Sequence, residues 1–535
     1  MDKETLSNYG WIVILVLILA VMLALATPFG SFIAGAIKST TAGLFSVNQA
    51  ALGSAGIDVN DMVFENCDHL ETELRNVTDT YTGDTCCKAC GAVMSAGQTV
   101  RPKVPEGGKY TAADGTVYGP DDEMPEVVTA GDKYTYGDYK YTYYVEHFNL
   151  GTGWHVELNL EVTTKSKTSY GSILESINGK PINSVWGTFY QCTSLVVAPA
   201  IPKDVKLMYN TFGICSRLTT APIIPEGVTN IGNAFYSCGN LVTYANSTDP
   251  DGDFSGYIIP NSVSNMNQAF SGCSNLTIAP DMSGATSVTT LYETFRSCKK
   301  LIGVPNLSNC TLLTNMEGTF YDCTSLATAP VIPNGVTNMQ STFSNCTSLT
   351  TVSTIPNSVI DMGSTFSGCS SLTTAPMIPN GVTDMRATFA ACIALKTYTG
   401  STESDGGFAN FTLPSNILTL EQTFEGCTSM KIAPAIPTKV TGLQRTFYGC
   451  TALITAPVIP YSVSSLKYTF VNCTSLTGTI STLNRPTYFY DGCFTGVDFE
   501  AQNLTLVGTS TYVDSIGATG TNYCADCNGK CQVTH

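Results

Sequence analysis

The chain has 535 residues, with 42 acidic against 26 basic side chains and a formal net charge of −16. Its length allows several domains, and the acidic balance argues against a nucleic-acid partner, because phosphate binding needs clustered Lys and Arg. Only 13% of residues are charged, and the 21 cysteines, an odd number, indicate either an oxidising exterior or a regular structural use.

An uncharged apolar run, WIVILVLILAVMLALA, spans Trp11 to Ala26. Its length is close to the minimum for a membrane-spanning helix. A cleaved signal peptide is the alternative, although the preceding residues are hardly basic. Apolar residues continue at helical spacing beyond Pro28, so residues 1–56 are predicted to form a retained membrane helix at 11–27 that runs into an amphipathic helix. The remaining chain is then expected outside the cell, anchored to its membrane.

The block NYGWIVILVLILAVMLALATPFGSF resembles the Flp (Tad-type) pilins, which have a Glu-Tyr-Gly start, an apolar helix and an amphipathic extension. Tyr9 and Gly10 match that start, whereas Asn8 stands at the position of the Glu. No processing-site Gly lies upstream in MDKETLS. The resemblance implies a homo-oligomer assembled through the N-terminal helix.

Residues 57–100 are predicted to be a small module with four cysteines, Cys67, Cys86, Cys87 and Cys90. The CKAC sequence followed by Gly91 has the form of a zinc knuckle, in which two thiolates on a tight turn share one metal. Cys67, His69 or Cys86 would have to complete that site. Disulfides are the favoured interpretation for an exported protein, and free thiols are a third alternative.

Residues 101–174 are predicted to be a β-domain. The segments DKYTYGDYKYTYYVEHF and GWHVELNLEV alternate in character and are separated by NLGTG, which is typical of antiparallel hairpins. His147 and His155 flank this loop and would be either a metal-binding pair or ordinary surface residues. The tyrosine stripe would either stack on sugar rings or cover one face of the sheet.

A Phe-x-x-Cys motif then recurs at intervals of 23, 25 or 35 residues. The phenylalanines are Phe189, Phe212, Phe235, Phe270, Phe295, Phe320, Phe343, Phe366, Phe389, Phe424, Phe447 and Phe470. The cysteines are Cys192, Cys215, Cys238, Cys273, Cys298, Cys323, Cys346, Cys369, Cys392, Cys427, Cys450 and Cys473. Tyr490 and Cys493 are aligned as a degenerate thirteenth copy. The long intervals hold NSTDPDGDFSGY and GSTESDGGFANF, predicted to be inserted surface loops.

Each unit is predicted to be one coil of a solenoid. Its first half, SLTTAPMIP in one copy, contains two prolines and must be extended, NG marks a turn, and the second half, GVTDMRATF, fits a helical or 3₁₀ turn. Such a unit cannot bury its apolar edge alone and must stack on its neighbours. The Phe column then fills the core, and each buried ring contributes about 1.5–3 kcal/mol.

The Cys column is predicted at a bend of the coil, where a thiol can bond to the backbone. Structural thiols are favoured over disulfides or metal ligands, because stacked side chains point in parallel and buried thiols are inert. Cys310 lies outside the periodic pattern and is predicted to be a single structural or exposed thiol.

The sequence FSGCSSLTTAPMIPNGVTDMRATFAAC resembles the BspA-like leucine-rich repeats of bacterial surface proteins, whose 23-residue unit has Phe-x-x-Cys, then a Leu and an Ile-Pro step. The resemblance covers residues 175–495 and implies a leucine-rich-repeat solenoid of about 13 coils with a role in adhesion or surface binding. Ala375-Pro376 and its equivalents lack a ladder N–H, so the sheet is expected to be thin.

Residues 496–535 are predicted to be a cap and a cysteine-rich tail. Cys524, Cys527, Cys531 and His535 would either hold zinc or form a disulfide with one spare thiol that joins two chains. No sorting signal for wall attachment is present, so the tether is expected at the N-terminus.

Two functions remain open. No Gly-rich phosphate loop, nucleophile elbow or paired-carboxylate arrangement is present, so neither catalysis nor a cofactor is expected. The first function is an anchored surface protein whose solenoid binds a protein or glycan of a host or neighbouring cell. The second is a pilin-like subunit that forms a filament through its N-terminal helix and displays the solenoid.

Overall fold

A computed structural model describes three short strands within residues 72–95, and then residues 103–507 except 105, 126–128, 148–150, 161–164, 178, 248–252, 403–406, 482–491 and 499–500. The predicted N-terminal helix, its resemblance to pilins and the C-terminal cysteines lie outside the described residues. Within the described part, no helix combines the length and hydropathy needed to cross a membrane. The chain divides into two compact units, one of Met1–Lys103 with Asp122–Glu126 and the other of Val104–Asp121 with Val127–His535.

The first unit contains a three-stranded antiparallel sheet in the order β1-β2-β3. Its strands are β1 (Thr72–Arg75), β2 (Asp84–Cys87) and β3 (Val93–Ser95). Cys86 and Cys87 belong to β2, and the backbone of Cys87 pairs with Thr72. The side chains of the four module cysteines lie outside the described part, so their disulfide, zinc and free-thiol alternatives stay predictions.

The second unit begins with a seven-stranded sheet in the order β5-β4-β6-β7-β8-β10-β9. Its strands are β4 (Gly108–Thr111), β5 (Val117–Tyr118), β6 (Lys133–Tyr136), β7 (Tyr139–His147), β8 (Gly151–Leu160), β9 (Ser176–Ile177) and β10 (Lys180–Ser184). The antiparallel hairpin of β7 and β8 is as predicted. Its register places His147 opposite Gly151 and His155 opposite Tyr144, so the two histidines are not cross-strand partners.

The tyrosine stripe forms the inner face of this sheet. Its five buried members, each at most 2% exposed, are Tyr110, Tyr134, Tyr139, Tyr141 and Tyr143. Strand alternation directs one side of each strand into the core, and the hydroxyl of Tyr110 donates to the Asp132 carboxylate over 2.5 Å. A sugar cannot reach these five rings, so the sugar-stacking interpretation is wrong for them, whereas Tyr136 and Tyr144 are half-buried.

The sheet continues directly into the repeats. β8 pairs in parallel with β10, and the ring of Tyr139 meets the first repeat phenylalanine, Phe189, edge to face at 6.2 Å. The hydroxyl of Thr188 donates to the carbonyl of Leu158 in β8. The sheet therefore covers the N-terminal end of the solenoid and leaves no exposed Phe ring there.

Consecutive coils share one backbone hydrogen-bond pattern. The N–H of Phe343 donates to Thr365 in the next coil over 2.9 Å, whereas the N–H of Cys346 donates to Phe343 in its own coil over 3.0 Å. Ser341 and Asn345 have φ of 54° and 61° at the third position of successive β-turns. The helical or 3₁₀ turn predicted for the second half of each unit is therefore wrong. Residues with positive φ interrupt the helical backbone, and alternate N–H groups bond to the neighbouring coil instead.

The extended arms form a thin parallel sheet, as predicted. Its strands have only two residues where they are regular, in β11 (Thr220–Ala221) with β12 (Thr243–Tyr244) and β13 (Thr374–Ala375) with β14 (Thr397–Tyr398). Other coils pair through single bridges such as Thr328 with Thr351. The Pro that follows the Ala has no N–H to continue the ladder.

The two insertions are more than surface loops. In the first, Phe254 and Tyr257 are buried, their rings are 4.9 Å apart, and Phe254 packs on Phe270 of the next coil at 6.1 Å. In the second, Phe408 packs in the same way on Phe424 at 6.2 Å. Each insertion thus contributes aromatic residues to the core, and the surface-loop prediction is wrong for these parts.

The last coil is shifted from the predicted alignment. Phe494 stacks on Phe470 at 5.8 Å, and the carbonyl of Cys493 accepts the N–H of Phe470, a role that threonine has in other coils. Val497 donates its N–H to Phe494 as the repeat cysteines do to their phenylalanines. The alignment of Tyr490 and Cys493 as the motif is therefore wrong. The final strands, β15 (Gly478–Ser481) and β16 (Leu504–Val507), pair in parallel.

Core columns and the turn face

The structure places the twelve motif phenylalanines in one continuous stack. Every ring is fully buried, and neighbouring ring centroids are 5.1–5.9 Å apart with interplanar angles of 1–21°. Each interior ring thus contacts another ring on both sides. The stack is the hydrophobic core of the solenoid.

The motif cysteines form a second buried column beside it. In eleven coils, from Cys215 to Cys473, the thiol donates to the carbonyl of the Phe in the preceding coil over 3.0–3.2 Å. Cys192, in the first coil, accepts a hydrogen bond from Tyr170 over 3.4 Å. The fourteen cysteines whose side chains the structure describes are all buried free thiols.

Burial favours the neutral form of these thiols. It raises the pKa of Cys346 to about 12, although a hydrogen bond with the backbone of Cys323 acts in the opposite direction. Cys310, outside the column, is fully buried, and burial raises the pKa of its thiol to about 11. The neutral thiol is the form that can donate to a carbonyl, so these side chains act as small hydrogen-bonding core residues.

Sequence reasoning missed a third buried column, the residue directly before each Phe. It is threonine in ten of the twelve units, and that regularity was the available signal. Thr365 is fully buried, and its hydroxyl lies 2.9 Å from the carbonyl of Met339 and 2.8 Å from that of Met362. From the second coil onward, each such hydroxyl bonds to a carbonyl of the preceding coil. In four coils it also bonds to a carbonyl of its own coil.

Outside these columns lies a surface that we call the turn face. It consists, in every coil, of the residues three and two positions before the Phe and one and two positions after it. The residues two positions before and two positions after the Phe have positive φ in each of the thirteen coils, so the backbone conformation of this face is the same from coil to coil. The side chains vary widely: the position three before the Phe is Trp186, Tyr209, Gly232, Asn267 and Tyr292 in the first five coils.

The first three coils carry four half-buried aromatic side chains on this face. We call Trp186, Tyr190, Tyr209 and Tyr236 the aromatic patch. The rings of Trp186 and Tyr209 meet edge to face at 5.1 Å. Among the twelve turn-face residues of these coils, none is charged.

Two buried glycines let the patch rings lie along the surface. A Cβ built on Gly232 would be 3.0 Å from Cδ2 of Tyr209, and one on Gly213 would be 3.0 Å from Cδ2 of Tyr190. Each ring therefore lies over the next coil, in the space that a side chain would otherwise fill.

Amide groups fix the patch at its edges. Nδ2 of Asn233 donates to the hydroxyl of Tyr209 over 3.0 Å, and Oδ1 of Asn210 lies beside Gly213. The patch is thus a set of oriented rings with neutral hydrogen-bonding groups between them.

Later coils of the turn face are charged instead. Glu425 forms an ion pair with Arg445, whose guanidinium lies 4.1 Å from the ring centroid of Tyr448. Burial opposes ionisation of Glu425, yet hydrogen bonds from Arg445 and Gln422 hold the pKa of that carboxyl below its usual range. Among the described residues, no cluster of three or more His, Cys, Asp or Glu side chains is arranged to hold a metal ion.

The sequence matches the BspA type leucine rich repeat region over residues 176–249, 253–373, 292–406 and 403–517, more than half of the chain. The chain therefore belongs to the BspA-type leucine-rich-repeat family. A comparison with curated proteins found no match.

Three solved structures are similar to this chain over part of its length. A leucine-rich repeat protein from Bacteroides ovatus is 19% identical and covers 72% of this chain and 91% of its own, with a TM-score of 0.38. A leucine rich cell surface protein from Faecalibacterium prausnitzii is 21% identical and covers 64% and 93%, with a TM-score of 0.40. A leucine-rich repeat protein from Eubacterium ventriosum is 17% identical and covers 64% and 90%, with a TM-score of 0.30.

Proposed function

We propose that this chain is a non-enzymatic surface protein that binds a ligand on a host or neighbouring cell through the turn face. One observation carries the proposal: a nearly constant core of Phe, Cys and Thr columns supports a face whose side chains change from coil to coil. Since the fold requires the backbone turns of that face but no particular side chains, those side chains are free to be selected for contact with a partner. The ligand is a protein or a glycan.

Membrane anchoring through residues 11–27 is part of the proposal. Its support is the uncharged apolar run in the sequence and the membership in a family of surface repeat proteins. A polarity that rests on Ser, Thr and Asn, with 13% charged residues, also suits an exported body.

Protease shaving of intact cells tests the location. Mass spectrometry is expected to find released peptides from residues 175–495 in wild type and to lose them when residues 1–55 are deleted, with a cytosolic protein as the control for cell lysis. If intact wild-type cells release no such peptide while lysed cells do, the surface proposal is wrong. Adherence of the two strains to host cells then measures the binding role.

A pilin-like subunit remains the alternative, favoured by Tyr9-Gly10 before the apolar run. It requires sheared filaments that electron microscopy can detect and that disappear with residues 1–55. Purified protein that remains monomeric in detergent favours the binding protein.

A further inference from the structure

We propose that the aromatic patch is an oligosaccharide subsite that takes pyranose sugars with an unbroken C–H face, such as glucose, galactose or N-acetylglucosamine. This inference rests on the proposed function and names its ligand class. It assigns sugar binding to Trp186, Tyr190, Tyr209 and Tyr236, in place of the buried tyrosines of the β-sheet.

The chemistry of the patch suits a neutral sugar. The C–H face of a pyranose is apolar and lies flat on an aromatic ring, whose face carries partial negative charge. Sugar hydroxyls both donate and accept hydrogen bonds, and a side-chain amide such as that of Asn210 or Asn233 also does both. No turn-face residue of these coils is charged, and the ammonium of Lys165 beside the patch donates to the backbone carbonyl of Tyr190 over 3.2 Å, so a neutral ligand fits the side chains of the patch itself.

The rings are already held in place before a ligand arrives. Tyr209 packs against Trp186, lies over Gly232 and accepts a hydrogen bond from Asn233. A ligand therefore does not have to bear the entropy of ordering that side chain. Successive coils are about 4.8 Å apart, so the patch over three coils extends for about 10 Å along the stack, a length that two linked pyranose rings cover.

A proline-rich peptide is the main competing ligand, because aromatic residues also bind polyproline helices. Such peptides dock in grooves between upright rings. Here Tyr190 and Tyr209 lie over the glycines at 213 and 232, and the rings of Trp186 and Tyr209 are in edge-to-face contact at 5.1 Å, which leaves no groove between those two rings. The geometry thus favours the sugar.

The test uses the full chain in detergent with cellohexaose, chitohexaose and β-1,4-linked galactohexaose as probes, measured by isothermal titration calorimetry. Wild type is expected to bind at least one. Trp186→Ala and Tyr209→Ala are each expected to raise the dissociation constant at least about tenfold, the equivalent of about 1.4 kcal/mol. Tyr292→Ala, which removes a half-buried tyrosine from the same column three coils beyond Tyr209, is the matched control and should bind as wild type.

A second pair of variants leaves all aromatic residues in place. Gly232→Ala pushes a methyl group into the ring of Tyr209 and should weaken binding to a similar extent. Gly363→Ala, in the same column, approaches no aromatic ring, since its nearest atom is Oδ1 of Asp361 at 3.2 Å, and should not weaken binding. Circular dichroism of each variant verifies that it is folded.

Three results would overturn the inference: no hexasaccharide binds, the patch variants bind as tightly as wild type, or deca-proline binds and loses affinity in those variants. The surface proposal is judged separately by shaving and adherence. If shaving releases the solenoid and patch variants adhere normally, the surface function stands and the sugar subsite is wrong. If sugars bind but intact cells release no peptide, the sugar subsite stands and the surface function is wrong.

Discussion

Replacing Phe343 with alanine tests whether the ring stack holds the solenoid together. The ring is fully buried in the middle of the column, with centroids 5.6 Å from Phe320 and 5.8 Å from Phe366. Truncation of a buried Phe to Ala costs about 3–5 kcal/mol from lost transfer energy and the cavity that remains. Two stacked neighbours, each contributing about 0.5–1.5 kcal/mol beyond burial, place Phe343→Ala in the upper part of that range.

Urea unfolding followed by circular dichroism measures this change in the free energy of unfolding. Tyr292→Ala removes a half-buried ring from the turn face and is the control, expected to cost about 1 kcal/mol or less. Phe343→Leu, which keeps most of the apolar volume, should fall between the two. Equal losses for Phe343→Ala and Tyr292→Ala would refute the view that the column is the core.

Three further predictions concern the other columns and the charged part of the turn face. Thr365→Val keeps the shape but removes the hydroxyl that bonds to Met339 and Met362, and should lower the free energy of unfolding by about 1 kcal/mol, whereas Thr365→Ser should retain the bond. The column thiols of the native protein should resist iodoacetamide at pH 8–9, as mass spectrometry of native and urea-treated protein can show, because burial raises the pKa of Cys346 to about 12. The stability that the neutral Cys346 thiol contributes is therefore complete below the ordinary thiol pKa near 9 and is lost as pH rises from 9 towards 12, which urea unfolding at pH 8 and 10.5 checks. Glu425→Gln breaks a partly exposed ion pair and should cost only about 0–1 kcal/mol in urea unfolding, with less effect in 1 M salt.

The repeat unit was predictable because a fixed period is visible without coordinates. Phe366 and Phe389 are 23 residues apart, and equal spacing in a stacked chain places equal side chains in one column. The thin sheet was predictable from Ala375-Pro376 because proline has no N–H for the ladder. The bend of the coil predicted a bond between the Cys369 thiol and the backbone, and its partner is the Phe343 carbonyl at 3.1 Å.

The conformation of the second half of each unit was not predictable in the same way. Its apolar spacing fits a helical turn, and in isolation its N–H groups would bond within the segment. A neighbouring coil offers other acceptors, so the N–H of Phe343 bonds to Thr365 instead and Ser341 takes positive φ. Long-range partners therefore decided between two local structures that the sequence allows.

The amino-acid sequence by itself determined the period, the family and the side chains that share a column, because these depend only on which residues recur and how far apart. Tertiary structure alone decided which aromatic residues are accessible. The β-sheet tyrosines turn inward, since strand alternation gives one face to the core, while Trp186 and Tyr209 become neighbours only when successive coils stack. The aromatic patch exists because residues 23 positions apart in sequence lie one coil spacing apart in space.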